Sequence, residues 1–553
     1  MKRVYYIILL LALVPCALQA QVQKQVEVSK DYTPTVSTAQ KLAIVPDMTD
    51  TVMMRPDVDY TVTPRSFETS LMPNKFRPAT ITYWDYNSSR PLYAQLAMGA
   101  PLASEADLYV STYNKDRGYA MAYANHWGDY RSRYNLLDEK VTSKTSEMDN
   151  RIGGRAGLFL GRRLLEVDLS ADHRLRHRYP STGEKIEFGR ADGKIRFGDD
   201  FTDMSRWNFN LEAAGSLFAD KVESAKFNQA AVQGSVALGR LIADRHLLRL
   251  TAAYDGAFGS KALKSYRNNI FSVGARYGLE TDRFELTVGA DYYYDDVDYS
   301  TDSPHHIFPY LRMSWKNTQE GFVPYIEVDG SLRRNDFASL IFANPFLQAS
   351  TEVAEALSSQ PNETSYNGRA GFGGNVGSGL FAYNVSAELN IADNHLYWYS
   401  MGADYGVADA YQHSLRIDAS ALLRPSGAFE AEARVGVYVW ENYDNFYSNR
   451  PNFNVGAALR YLSRRVRAGV NLDYASAIKW MTMGDTLSDD GKPQFGYTRT
   501  SDTLMLGVEV EWRVNDRWAI YAEGRNLTGS KVYEWLNYYR STAEGMLGVK
   551  FTL

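Results

Sequence analysis

A single cysteine, Cys16, occurs in 553 residues, so disulfide scaffolds, zinc fingers, iron–sulfur centres and CxxC redox sites are excluded. Long apolar runs are equally scarce. Beyond the first twenty residues no stretch approaches the roughly 20 apolar residues of a spanning helix. The mean hydropathy of -0.37 likewise excludes a bundle of such helices. An excess of positive charge is also missing: 60 basic against 65 acidic side chains gives no support to nucleic-acid binding. No obvious linker divides the chain into the several soluble domains its length would suggest. What is abundant is tyrosine, 39 residues, and glycine, 41 residues spread along the chain. That balance suits an all-β protein.

The first twenty residues read as an export signal. Lys2 and Arg3 precede an apolar run from Val4 to about Leu18, and Ala20-Gln21 offers a small-residue cleavage site. A lipidated Cys16 is disfavoured by Pro15 directly before it. Cleavage removes the only thiol and leaves 58 basic and 65 acidic side chains. With no later segment able to stop in the inner membrane, the mature chain is expected to leave it behind.

From about residue 92 onward, apolar and polar residues alternate with a period of two, the mark of strands whose faces meet different surroundings. Leu165, Val167, Leu169 and Ala171 alternate with Glu166, Asp168 and Asp172. Phe284 to Tyr292 alternate with Glu285 and Asp291, and Phe429 to Val439 with Glu430, Glu432 and Arg434. Val466 to Tyr474 alternate with Arg467 and Asp473, and Leu504 to Val514 with Glu509, Glu511 and Arg513. These runs last roughly 9–12 residues, the length a tilted strand needs to cross a bilayer. Strands of soluble sandwiches or propellers average about five or six. Tyr292, Tyr293, Tyr294, Tyr397, Trp398, Tyr399, Trp440 and Trp518 lie near strand ends, where interfacial aromatic girdles sit. The expectation is an all-β transmembrane antiparallel β-barrel of about 22 strands, with a range of 20–22.

Gly161-Arg162, Thr281-Asp282 and Asn515-Asp516-Arg517 read as tight turns, and 127–149, 175–206, 333–364 and 477–502 as long loops. The two kinds should occupy opposite ends of the barrel. The parity slips mid-chain, so at least one strand is misassigned. A short helix is expected near Thr351 to Leu357. The last strand carries Leu547, Val549, Phe551 and Leu553 on one face, suited to closing the barrel against the first.

The thirteen charged residues quoted above are the candidate lumen lining, and acids outnumber arginines among them. One reading is a lumen that favours cations; the plainer one is a hydrated wall whose charges pair across strands, and it carries more weight. His173 and His177 lie four apart without an evident third ligand, and His305-His306 should point to opposite faces, so no metal site is assigned. Gly371-Phe372-Gly373-Gly374 lacks the helix that a phosphate cradle requires. No nucleophile elbow is present. The chain reads as a non-enzyme without a cofactor.

The stretch Tyr521-Ala522-Glu523-Gly524-Arg525-Asn526-Leu527, followed by Tyr533, Trp535, Tyr538, Gly545 and Phe551, resembles the C-terminal strands of TonB-dependent receptors. Asn344-Pro345-Phe346-Leu347, Asn384-Val385-Ser386-Ala387, Val26 to Tyr32 and Ala79 to Trp84 resemble receptor-like barrels of Bacteroidetes. The resemblance implies a 22-strand barrel with transport as its business. It also implies a globular plug ahead of the barrel, and here the chain departs from it. Only about 70 residues separate Gln21 from the first strand, broken by Pro34, Pro46, Pro56, Pro64, Pro73 and Pro78. Energised, plug-gated import therefore does not simply carry over. Val26, Glu27, Val28 and Ser29 could serve as a TonB-box-like strand for a periplasmic partner, against the plainer reading of an ordinary tail.

The organisation expected is a signal peptide at 1–20, an extended periplasmic or lumenal segment at 21–90 and a porin-like barrel at 91–553. The partners expected are outer-membrane lipids, with either a TonB-type periplasmic protein or a lipoprotein or outer-membrane complex. The favoured function is solute passage gated by the N-terminal segment, loops or a partner. The alternative is a structural subunit of a larger outer-membrane complex.

Overall fold

The computed structural model describes residues 91–553 except 113–116, 180–182, 200, 202–203, 221–225, 244, 297–302, 317–321, 349–360, 378, 443–445 and 488–492. Its first strands are β1 (Leu92–Ala100), β2 (Ala103–Ser111), β3 (Gly118–Asp129), β4 (Glu147–Leu160), β5 (Arg163–Arg178) and β6 (Glu184–Asp199). β7 (Asn208–Asp220), β8 (Phe227–Ile242), β9 (His246–Lys261), β10 (Arg267–Glu280), β11 (Phe284–Asp295) and β12 (His305–Trp315) follow. After β13 (Val323–Arg333) comes the helix α1 (Phe337–Ala343), then β14 (Glu363–Val376), β15 (Phe381–Met401), β16 (Asp404–Ser426) and β17 (Phe429–Glu441). β18 (Phe453–Leu462), β19 (Val466–Ala475), β20 (Lys479–Leu487), β21 (Pro493–Arg499) and β22 (Thr503–Arg513) lead to the end. There lie β23 (Trp518–Arg525), β24 (Val532–Trp535), β25 (Tyr538–Arg540) and β26 (Glu544–Thr552).

Each strand from β1 to β18 pairs antiparallel with its successor. The wall then passes from β19 to β22, β23 and β26, and β26 pairs back onto β1. The result is a closed antiparallel barrel of 22 strands. Closure leaves no strand edge in the membrane, which is why a sheet can span it at all. The hairpins β20–β21 and β24–β25 stand outside the wall; β20 touches it through one parallel bridge, Ser400 to Thr482.

Gly161-Arg162, 281–283, 463–465 and 514–517 turn at one end, and the described parts of the connections 130–146, 334–362, 442–452, 476–502 and 526–543 gather at the other. On the outer face Leu96, Leu217, Ile307 and Leu547 are each about two-thirds exposed. An apolar surface of this extent, girding the whole wall, is a lipid-facing surface.

Several expectations need correction. The span 175–206 is not a loop, because β6 occupies most of it. Its apolar residues change phase partway: Ala191, Ile195 and Phe197 face outward, but Ile186 and Phe188 face inward and are buried. That switch disguised the strand and broke the mid-chain parity. The segment near Thr351 to Leu357 lies outside the described residues, and the helix described in this loop is α1, upstream. The aromatics divide three ways. Tyr292, Tyr294 and Trp518 face outward as a girdle would require, with Tyr292 and Tyr294 packed about His305. Tyr293 packs inward on Phe308, and Trp440 stacks on Tyr438 on the charged face of β17. Tyr397, Trp398 and Tyr399 lie on the overhanging β15–β16 hairpin, packed within the loop assembly.

A candidate gate: loops packed into one mouth of the barrel

Near the long loops the inner wall turns apolar. Phe188 on β6, Phe218 on β7, Phe227 and Ala231 on β8, and Ala257 on β9 are all buried, as are Ile270 and Phe308 farther round. An apolar inner wall in a hydrated lumen would be unfavourable unless something covered it. The chain's own loops do so.

α1 begins at the N-cap Asp336, whose side chain accepts the Ser339 N–H at 2.8 Å. Its apolar side chains Phe337, Leu340 and Ile341 are buried. Phe337 stacks on Phe227 with ring centres 4.5 Å apart, and Phe342 meets Phe188 edge-on at 5.0 Å. Arg174 and Arg190 hold their guanidinium groups 4.8 and 4.6 Å from the Phe342 ring. Farther along, Phe346 stacks on Tyr538 of β25, and Tyr538 meets Tyr179 edge-on at 4.9 Å. Trp535 contacts Tyr405, Trp398 and Trp480 at centre distances of 5.0, 5.5 and 6.0 Å. The helix loop, the β15–β16 overhang, β20 and the β24–β25 hairpin thus share one apolar core with the inner wall.

Polar anchors fix this core at both sides. Next to α1, Arg334 pairs with Asp336 at 2.9 Å and with Asp255 of β9. Asn362 donates to Asp295 and exchanges hydrogen bonds with Asn268. Gln229 of β8 accepts the Ala338 N–H at 3.1 Å. Burial alone would raise the Asp336 carboxyl, but the Arg334 guanidinium and the Ser339 N–H outweigh it and hold it below the ordinary carboxylate value. At the seam where β26 meets β1, Arg131 pairs with Asp129 at 2.8 Å and Glu544 at 2.6 Å. Arg540 pairs with Glu147 at 2.9 Å, and Arg133 with Asp129 and Glu147. Removing one partner of a buried pair costs about 3–5 kcal/mol, so these anchors resist loosening.

Away from the lid, the thirteen charged candidates sit on the face opposite the exposed apolar rows. Most have partners from neighbouring strands. Asp168 pairs with Arg155, Asp172 with Arg151, and Asp291 with Arg276. Arg460 bridges Glu430 and Glu432, and Arg434 pairs with Asp473. Glu511 takes Lys550 at 2.6 Å and lies 3.6 Å from Arg513. Tyr119 donates to Glu166. Glu509 lies opposite Gly469 and Glu523, Arg467 opposite Glu511 and Leu462, and Glu285 opposite Glu280 and Ser314. Beside the acids stand bases contributed by other strands, among them Arg151, Arg155, Arg190, Arg276, Arg460 and Lys550. They offset the apparent acidic excess.

His173 bonds Asn150 and Glu187, and His177 the Ser146 carbonyl, so the two histidines hold no common ligand. His305 bonds Tyr292, whereas His306 stacks on Phe308. Among the described residues no group of three or more histidine, cysteine or acidic side chains is placed to hold a metal ion. Val26, Glu27, Val28 and Ser29 lie outside the described residues. Sequence reasoning missed the lid residues Phe337, Phe342, Phe346, Trp480 and Trp535. The run Phe337 to Phe342, nearly all apolar inside an apparent loop, was the available signal.

No family model and no curated protein matches this sequence. Solved structures do. The FrpB iron transporter of Neisseria meningitidis superposes with a TM-score of 0.64 at 11% identity, over 84% of this chain and 81% of that one. The siderophore receptor PirA of Acinetobacter baumannii gives 0.64 at 9%, over 84% and 81%. The ferripyoverdine receptor of the outer membrane of Pseudomonas aeruginosa gives 0.59 at 9%, over 84% and 72%. At such identities the likeness speaks for the fold. The chain shares its β-barrel with transporters and receptors of this outer-membrane type.

Proposed function

We propose that this chain is an outer-membrane, receptor-like barrel that serves transport, a solute passage whose outer mouth is closed by its own loops. The observation that carries the reading is the apolar inner belt packed by α1, the β15–β16 overhang and the β24–β25 hairpin. A barrel of this strand number encloses far more space than wall side chains fill, so an unoccluded one would leak. Long loops gather on the extracellular side of such barrels, which sets the lid outward and both barrel ends of the chain toward the periplasm. The structural neighbours are named as transporters and receptors rather than enzymes, in keeping with a passage and not a catalyst.

In this reading residues 1–20 direct export and 21–90 form a periplasmic or lumenal segment that assists gating from below. Val26 to Ser29 would engage a TonB-type protein, and a lipoprotein or barrel partner would complete the assembly. The paired inner charges argue against a general preference for cations. One feature favours the alternative of a structural subunit: the lid core is as dry as that of a soluble domain, with Phe227, Leu347 and Trp480 at zero exposure.

Planar-bilayer conductance separates the two. Phe337→Asp buries a charge in the lid and should raise conductance severalfold over the native barrel. A variant whose lid becomes protease-sensitive while conductance stays at the native level would sink the gate and favour the structural role.

A further inference from the structure

On the lipid side, the wall of β6 to β10 is not level. Ala213, Gly234 and Ala252 put almost no side chain on their outward positions. Around them stand Ile195, Leu211, Phe271 and Val273, each 42–54% exposed. The result is a trough of about 590 Å³. Glu212, within its bounds, belongs to the inner face, where it pairs with Lys194 at 2.7 Å. A Cβ added to Gly234 would meet nothing within 4 Å, so the floor is open. Hydrocarbon packed poorly over such a hollow forfeits dispersion contacts, which a chain seated in it recovers.

At the short-turn end of these strands the outer face carries arginine. Arg163 of β5 holds its guanidinium 5.0 Å from the Phe209 ring, and Arg240 of β8 lies 5.9 Å from that of Trp207. Arg163 shares the outward row of Leu165 and Leu169, and Arg240 that of Val236 and Leu238. The other cation–ring contacts among the described residues lie on the inner wall or in the loops. Arg162 and Arg163 lie 3.2 and 3.7 Å from one carboxylate oxygen of the buried Asp199, and Arg240 pairs with no acid among the described residues. Three guanidinium groups against one carboxylate leave this spot positive. A guanidinium over a ring keeps its N–H edge free, and that edge suits a phosphate.

The two features lie one leaflet apart. Gly234 is six residues nearer the lid than Arg240 on β8, about 20 Å along the strand and about 15 Å in depth at the tilt of such barrels. Half the hydrocarbon core of a bilayer is also about 15 Å. We propose that this part of the outer wall holds one anionic phospholipid of the periplasmic leaflet: its phosphate accepts hydrogen bonds from Arg163 and Arg240, and an acyl chain lies in the trough. The net positive charge selects an anionic headgroup over a zwitterionic one. The Trp207 ring, 47% exposed, sits where headgroup and chain meet. A second barrel seated here would press its own apolar face on the arginines and leave them without a counter-charge. The inference needs the membrane barrel and the placing of the short turns toward the periplasm; it does not depend on the passage proposed above.

The test is native mass spectrometry of the full-length barrel released from detergent, with equimolar palmitoyl-oleoyl phosphatidylglycerol and phosphatidylethanolamine added. The native barrel should keep one lipid and favour phosphatidylglycerol roughly fivefold or more, which one arginine near a charged headgroup is worth. Arg163→Gln combined with Arg240→Gln should bring the ratio near one. Gly234→Phe fills the trough and should lower retention of both lipids severalfold at an unchanged ratio; if it fails to assemble, the paired arginine variant carries the test. Arg464→Gln with Arg517→Gln, on other short turns, should leave lipid binding native. Equal retention of the two lipids by the native barrel, or a native ratio in the Arg163 and Arg240 variant, overturns the site. So does an equal loss in the Arg464 and Arg517 variant, or a dimer that carries no lipid.

Discussion

Consider an arginine placed at Val470. The outward row of β19 runs Val466, Ala468, Val470, Leu472 and Tyr474, so Val470 is its midpoint. It lies opposite Val508 and Leu459, and is 46% exposed to what the barrel's environment makes lipid. Its neighbours Ala468, Leu472, Val508 and Leu459 offer a guanidinium no side-chain acceptor. At the bilayer midplane such a side chain costs about 2–4 kcal/mol. By the tenfold-per-1.4 kcal/mol rule, that is roughly a 30- to 700-fold fall in the folded-to-unfolded ratio. Asn471 is one residue on and turned to the other face, where its amide donates to Asp473 at 3.3 Å. An arginine there meets Asp473 and Glu509 on a hydrated wall, and Asn471→Arg should cost less than about 1 kcal/mol. The assay is urea-dependent folding into phospholipid vesicles, scored by the migration of unheated samples on gels. Equal losses for Val470→Arg and Asn471→Arg, or a larger one for the second, would refute the assignment of lipid and lumen faces in β19.

The lid and the export route yield further expectations. Phe337→Ala removes a ring stacked on Phe227 and should loosen the lid by about 3–5 kcal/mol. Protease should then cleave the 334–348 loop while the barrel keeps its heat-modifiable migration; unchanged protection would contradict the packing role. The Asp336 carboxyl titrates below its ordinary 3.8 in the folded lid, so its stabilisation is full above that value and fades as pH falls through the folded one. Protease sensitivity of the lid should therefore rise in acid, and less steeply in Asp336→Asn, which keeps a capping side chain without the charge. Identical acid profiles would show that this pair does not hold the lid. Deleting about residues 25–75 should raise permeability to large antibiotics or single-channel conductance. If neither moves, that segment is no occluder. The protein should fractionate with outer membranes, and recovery as a soluble periplasmic monomer would be incompatible with a membrane barrel.

The barrel was legible because alternation is a local property. In β22 the outward Leu504, Val510 and Trp512 and the inward Glu509 and Glu511 are neighbours in the chain, and a period of two reports both environments. The last strand, with Leu547 and Val549 outward, was legible for the same reason. Where an environment changes partway along a strand, the period is kept but its phase is not. In β6 the outward Ile195 and Phe197 give way to the inward Phe188 and Ile186, and the strand read as a loop. Charge pairing was also out of reach. Asp473 stands beside Arg434, and Glu511 beside Lys550, only because distant stretches become adjacent strands.

The sequence by itself determined the class of fold, a strand number within 20–22 and, on the regular strands, which side chains meet lipid. Those follow from the two-residue repeat and from the length a tilted strand needs to cross a bilayer. Only the tertiary structure decided that Phe346 stacks on Tyr538 and that Phe337 reaches Phe227, contacts that close one mouth of the barrel. The same holds for what the long 477–502 loop contains, a hairpin of Lys479–Leu487 with Pro493–Arg499 that joins the lid while β19 pairs with β22. The physical reason is that apolar burial has no direction. A phenylalanine in a loop carries no record of which surface will cover it until the chain has closed on itself.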